Sequence, residues 1–190
     1  MEILNNIPVN LTPEKIFKTL RMRKDNETIS SAVAELLEMV HPIVNAKAVY
    51  EVSYVDNKTD DSLDINGIKF TSRVLRVNLD GVNRVFPYVV TCGREIDGIT
   101  IADNDTMKPF LLDTIKEVTV HLANHYLRRY LADKYALGQT SAMAPGSLED
   151  WPITQQKELF SIFGNVEEKI GVKLTNSFLM TPIKSTSGII

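Results

Sequence analysis

Apolar residues recur every third or fourth position in some stretches of the chain and every second position in others, and these two periods divide it into helical and extended segments. Thr12-Pro13-Glu14 is a helix-start signal, and Ile16, Phe17 and Leu20 supply a short apolar stripe, so a first helix is predicted over about 12–22. A polar turn at Lys24 to Asn26 precedes Ala32, Val33, Leu36, Leu37 and Val40 at helical spacing, a second helix stopped by Pro42. From Ala46 to Tyr54 the run is β-branched, aromatic and alternating, which predicts a strand. Asn66-Gly67 stands between Leu63, Ile65 and Ile68, Phe70, a hairpin signal. Further strands are predicted at Arg73 to Leu79 and Arg84 to Cys92, so 46–92 reads as a mainly antiparallel meander.

From Pro109 to Tyr135 the period changes to about 3.6, with Phe110, Leu111, Ile115, Val118, Leu122, Tyr126 and Tyr130 on one stripe. This is the longest predicted helix, and Gly138 is its expected stop. Gln139 to Pro152 carries two prolines, Gly146 and small residues, which suits an ordered, irregular loop of the kind that often carries function. Gln155 to Phe163 reads as helical, Val166 to Ile170 as a short helix and Ser177 to Met180 as a short strand before a polar end, Lys184 to Gly188. The elements predict an α+β fold in one domain: helices over 1–45, strands over 46–92, a long helix over 109–137, and a loop with a C-terminal motif over 139–190.

Composition narrows the function classes. A chain of 190 residues that is 44% apolar can bury one substantial core. Twenty-one basic against 24 acidic residues leave a net charge of -3, with no global field to hold nucleic acid or an anionic membrane, so neither is an expected partner. Cys92 is the only cysteine, which excludes an internal disulfide and a cysteine-based zinc site and fits a reducing compartment. The opening MEILNNIPVNL lacks the basic start and apolar run of an export signal, and no stretch approaches the roughly 18 apolar residues of a membrane span. A cytoplasmic location is expected.

Few residues offer chemistry of their own. His121 and His125 stand four apart on the long helix and can share a side of it, but HLANH lacks the glutamate of a zinc-hydrolase helix. A metal-dependent enzyme built on this pair needs a third ligand such as Glu117 or Asp113; the alternative is a structural pair. Cys92-Gly93-Arg94-Glu95 follows a strand, where a thiol can be acidified, but no histidine is near it in sequence, and a buried cysteine at a strand end fits as well. No GxxxxGK[ST], GxGxxG or GxSxG occurs, so the nucleotide-hydrolase, dinucleotide and serine-hydrolase readings lack their local geometry.

The last third of the chain is more informative. Asp133-Lys134-Tyr135 closes the long helix and is followed by Ala144-Pro145-Gly146, Pro152 and Lys157. Gly171, Leu174-Thr175, Ser177, Met180, Pro182 and Ser185-Thr186-Ser187-Gly188 then follow in order. This succession resembles the activation (reactivation) domain of cobalamin-dependent methionine synthase, over roughly the last 60 residues. The resemblance implies a twisted, mainly antiparallel sheet with surrounding helices. It also implies a role in methionine and one-carbon metabolism, as a stand-alone accessory protein for S-adenosylmethionine-dependent reductive methylation of a corrinoid methyltransferase. The cobalamin would be held by that partner, and the electron would come from a flavodoxin-type donor. On this reading the chain has no complete active site and no catalytic residue, and is at most the activation component of a methyltransferase. The implied ligand-binding residues are Asp133, Met143, Ala144, Pro145, Gly146, Ser147, Glu149, Trp151, Ser185 and Ser187.

The departures from the family pattern are specific. Ala142 stands where the family has the arginine that grips the adenosylmethionine carboxylate, and Ser147 stands where it has tyrosine. An arginine fork on a carboxylate is worth about 1.5–3 kcal/mol, so losing it weakens such a ligand about tenfold to a hundredfold unless another cation substitutes. Trp151 can stack on adenine or pack the loop onto the core; Glu149 and Asp150 can accept ribose hydroxyls or cap the following helix. The same Gly-Ser-Leu-Glu-Asp-Trp surface can instead meet a corrinoid protein. A module that recognises a partner without adenosylmethionine is therefore the second reading, and a family-like loop that serves folding only is another.

Overall fold

The computed structural model describes residues 1–22, 26–102 and 104–190, so Lys24 of the predicted turn lies outside the described residues. The fold is α+β. Helix α1 (Pro13–Leu20) starts with proline in its first turn and ends at Arg21, which takes a left-handed conformation at φ 54°. Helix α2 (Glu27–Val40) is capped by the Asn26 side chain, which accepts from the Ile29 amide, so it begins before the apolar stripe that predicted it. Both pack on the N-terminal half of the long helix through Ile16, Val33, Leu36, Leu111 and Ile115.

The strands form two four-stranded antiparallel sheets and one small pair rather than a single meander. The first sheet joins β1 (Glu2–Leu4), β2 (Lys47–Tyr50), β7 (Pro87–Thr91) and β10 (Ser185–Ile189) in that order. The second runs β5 (Ile68–Thr71), β4 (Ser62–Ile65), β3 (Ser53–Asp56) and β6 (Arg84–Val85). The predicted strand over 46–54 therefore splits at Glu51 and Val52 to serve both sheets. Asn66 and Gly67 turn the β4–β5 hairpin with φ of 52° and 77°, the left-handed pair that a two-residue hairpin requires.

Every residue of β7 is buried because the first sheet is covered on both faces. Ala48, Tyr50, Tyr88 and Val90 face the C-terminal half of α4 (Met107–Tyr135), meeting Val120, Ala123, Leu127 and Leu131. The cross-strand pair Val49 and Val89 faces the other way, onto α5 (Gln156–Ser161) and α6 (Val166–Ile170) through Phe160, Phe163 and Val166. The buried stripe of α4 therefore rotates along its length. Phe110 is exposed, and Tyr126 and Tyr130 are half-buried, packing against the core with one side and lining an open groove with the other. Among the described residues no helix is long and apolar enough to cross a membrane.

Four local expectations are corrected. Arg73–Leu79 is not a strand: Arg73–Asn78 is helix α3, capped by the Ser72 hydroxyl on Leu75 N, and Leu75 and Leu79 are buried at helical spacing. The segment read as a polar end is β10, paired along the whole of β7 with Ser187, Gly188 and Ile189 buried. Of the strand predicted over Ser177 to Met180 only Met180 is extended, in β9 (Met180–Thr181) beside β8 (Lys173–Leu174), because Phe178 turns the chain at φ 62°. Helix α4 stops at left-handed Ala136 (φ 49°), two residues before Gly138.

Candidate functional site

The loop after α4 is held at three points. Arg128, on the last turns of α4, donates to the Thr140 carbonyl at 2.9 Å. Met143 and Ile189 exchange both backbone hydrogen bonds, at 2.9 and 2.8 Å, which lays the loop along β10. This close approach explains Gly188, since a Cβ there would lie 2.5 Å from the Met143 carbonyl oxygen. Ala144 to Ser147 then form a tight turn: the Ala144 amide donates to Ser147 Oγ at 2.9 Å, and that hydroxyl returns a hydrogen bond to the Ala144 carbonyl at 2.6 Å. Gly146 supplies the positive φ of 83°, and its amide donates to the Trp151 carbonyl.

The far end of the loop is built into the core. Trp151 is 1% exposed, sits edge-on to Phe70 at 6.0 Å and donates from Nε1 to Gln155 Oε1 at 3.0 Å. The core-packing reading of Trp151 is the one the structure adopts, and no open face is left for stacking on a base. Asp150 does cap a helix, but it is α3 and not the helix that follows. Its carboxylate accepts from Ser72 Oγ at 2.5 Å and from Arg73 N at 2.6 Å, and these bonds hold its carboxyl below the usual aspartate value.

A cavity of about 230 Å³ opens between this loop, the end of α3 and β6. Leu79, Phe86, Leu137 and Ile190 give it apolar walls, while Asn78, Gln139, Thr140 and Ser141 bring amide and hydroxyl groups. Among the described residues that line it, Arg84 carries the only charged side chain. Met143 forms part of the wall, its sulfur held by an Asn78 amide at 3.3 Å.

The remaining predicted ligand residues are dispersed. Asp133 lines a separate 710 Å³ groove on the outer face of α4, beside Tyr126, Arg129 and Tyr130. Glu149 borders a third depression with Arg73 and Val77. Ser187 is buried and accepts from the Gln156 amide; Ser185 donates to Pro182 O at 2.8 Å and meets Thr91 Oγ1 at 3.0 Å. These serines hold β10 in the sheet. Ala142 is exposed, and the loop itself contributes no charged side chain to the cavity wall.

Two other cations near the motif are engaged. Lys134 pairs with Glu2 at 2.5 Å over the rings of Tyr50, Tyr130 and Tyr135, and its ammonium is held well above the ordinary lysine value by that carboxylate. Lys184 reaches Asp113 at 2.9 Å and Glu117 at 3.4 Å, so both acids named as a third metal ligand beside the histidines are ion-paired. His121 and His125 are exposed, and among the described residues no three His, Cys, Asp or Glu side chains gather to hold a metal. Cys92 is fully buried, and burial pushes its thiol up to about 12, which removes it as a nucleophile at neutral pH. The residues that sequence patterns did not single out are Asn78, Arg84 and Phe86, which reach the cavity through tertiary packing and belong to no local motif.

No protein-family model matches this chain, and no curated protein matches it. Among solved structures, the chain is similar to the MetH reactivation domain bound to AdoHcy, with a TM-score of 0.61 at 15% identity. The match covers 100% of this chain and 78% of that one. At this identity the likeness shows the fold: the α+β architecture is that of the reactivation domain, over the full length of this chain.

Proposed function

We propose that this chain binds an adenosyl ligand of the S-adenosylmethionine type at the cavity beside the 139–147 loop and serves as an accessory protein to a corrinoid methyltransferase. The carrying observation is the coincidence of two features. A fold shared over the whole chain with a domain bound to AdoHcy has a cavity where its motif-bearing loop is pinned to β10. The residues present suit such a ligand, since one cation, several amide and hydroxyl groups and apolar walls converge there.

When bound, S-adenosylmethionine would supply an electrophilic methyl group on sulfur; the corrinoid and the reducing electron belong to partner proteins. This chain's own residues position and shield. The Met143–Ile189 ladder and Gly188 fix the loop backbone, Arg128 holds its approach through Thr140, and Trp151 with Asp150 anchors its far end. A site held this way orders its ligand at little further entropic cost. A second reading, a module that docks on its partner without an adenosyl ligand, is favoured by exposed Ala142 and the loop's lack of a charged side chain at the cavity.

The functional test is reconstitution. A corrinoid methyltransferase held in its inactive cob(II) state is mixed with this chain, S-adenosylmethionine and a one-electron donor, and methylcobalamin formation is followed by absorbance. Formation that depends on both the chain and S-adenosylmethionine supports the leading reading. Faster reduction of the cob(II) species by the donor when the chain is added without S-adenosylmethionine favours the second, and no effect of the chain contradicts both.

A further inference from the structure

Arg84 leaves β6 at the edge of the second sheet, next to Val85, whose side chain is buried. Its guanidinium lies 5.5 Å from the ring centre of Phe86 and 5.7 Å from that of Tyr135, and those two rings are themselves in contact at 4.9 Å. A guanidinium laid on aromatic faces keeps its N–H edges free and loses little freedom when it meets a planar anion. Among the described residues no carboxylate pairs with Arg84, whereas Arg76, Arg94, Lys134 and Lys184 are all ion-paired. An oriented fork with no carboxylate partner that is also the only charged side chain on a cavity wall is complementary to a carboxylate brought in by a ligand.

We infer that Arg84 is the carboxylate handle of this site and selects adenosyl ligands that carry an amino-acid tail. The assignment rests on the reading of the loop cavity as an adenosyl-ligand site and adds to it the residue that sets specificity. The cavity volume of about 230 Å³ falls below the roughly 300–1,000 Å³ of pockets that enclose a whole drug-sized ligand, so it suits one end of such a molecule. The amino-acid end fits its chemistry. Leu79 and Leu137 offer apolar surface to the methylene chain, and the side-chain carbonyls of Asn78 and Gln139 can accept from the ammonium. Arg84 comes from a strand more than fifty residues before the loop, so the cation and the motif are brought together only by the fold.

The test separates the carboxylate from the rest of the ligand. Binding of S-adenosylhomocysteine is compared with that of 5′-methylthioadenosine, the same nucleoside thioether without the amino-acid group, for the parent chain, Arg84→Met and Arg84→Lys. Methionine keeps an apolar stem over Phe86 and Tyr135, and thermal melting checks that both variants are folded. The expected result is a loss of about tenfold to a hundredfold in S-adenosylhomocysteine affinity for Arg84→Met, with 5′-methylthioadenosine changed by less than about twofold. Arg84→Lys is expected to fall between, because it keeps the charge and loses the fork. If the parent binds S-adenosylhomocysteine and Arg84→Met binds it equally well, or weakens both ligands alike, Arg84 is not the handle while the site stands. If the parent binds neither ligand, the site itself is refuted and the assignment falls with it.

Discussion

The Asp150 carboxylate accepts the Ser72 hydroxyl hydrogen at 2.5 Å, across 78 residues of sequence, and so supplies from the ligand loop the N-terminal cap that helix α3 needs. The same helix ends at Asn78 and Leu79, which line the cavity, so one carboxylate couples the loop's far end to the opposite wall of the site.

Asp150→Asn is expected to lower the unfolding temperature at pH 7. The Ser72 hydroxyl first, and then the Arg73 and Val74 amides, hold the Asp150 pKa below its ordinary value. A depressed carboxyl stabilises the fold above its unfolded pKa of about 3.9, and that contribution is lost as pH falls through the lower, folded value. Melting curves of parent and variant should differ fully at pH 7 and 5 and converge below about pH 4. A difference that is constant down to pH 2 would show that the charge plays no part in the cap.

Trp151→Ala is expected to cost about 3–5 kcal/mol, because it empties a site packed against Phe70 and the second sheet. Denaturant unfolding measures the loss. Emission from native Trp151 should be blue-shifted and resistant to iodide, and S-adenosylhomocysteine should leave it nearly unchanged, since Trp151 does not line the cavity. Strong quenching by the ligand would mean that the loop reopens on binding.

Gly188→Ala should weaken the fold by about 1–3 kcal/mol, since the new methyl meets the Met143 carbonyl oxygen and neither strand can move away without breaking the ladder. Ligand affinity should drop with it, because Met143 is both a rung of that ladder and part of the cavity wall. Retained affinity in a folded Gly188→Ala chain would show that the Met143–Ile189 pairing does not position the site.

Cys92 should resist disulfide reagents at pH 8 in the native chain and react fully once unfolded, because burial holds its thiol neutral, with a pKa pushed up to about 12. Prompt labelling of the native chain would contradict its place beneath α4.

Elements set by local signals were readable in the sequence. The long stripe announced α4, Asn66-Gly67 announced the β4–β5 hairpin, and Thr12-Pro13-Glu14 announced α1. What misled was information held elsewhere in the chain. Arg73 to Leu79 read as a strand, but Ser72 and the distant Asp150 cap that segment as a helix. Lys184 to Gly188 looked like a polar end, yet most of it pairs along β7, and the missing side chain of Gly188 is what lets the loop lie against β10. Phe110 shared a stripe with core residues, but α4 packs first on helices and then on a sheet, and it is left exposed while Tyr126 and Tyr130 lie half-buried at the rim of a groove. Of the residues that the family resemblance named, Met143 alone lines the cavity, with Ala144 to Ser147 in the turn beside it, whereas Arg84 and Asn78 reach the cavity only through the pairing of β6 and the placement of α3.

Calorimetric titration of the purified chain with S-adenosylhomocysteine tests the central claim most directly. Saturable one-to-one binding that is weakened in both Gly188→Ala and Arg84→Met is the predicted result. Absence of heat up to millimolar ligand, an affinity no better than about 4 kcal/mol of binding free energy, would contradict it.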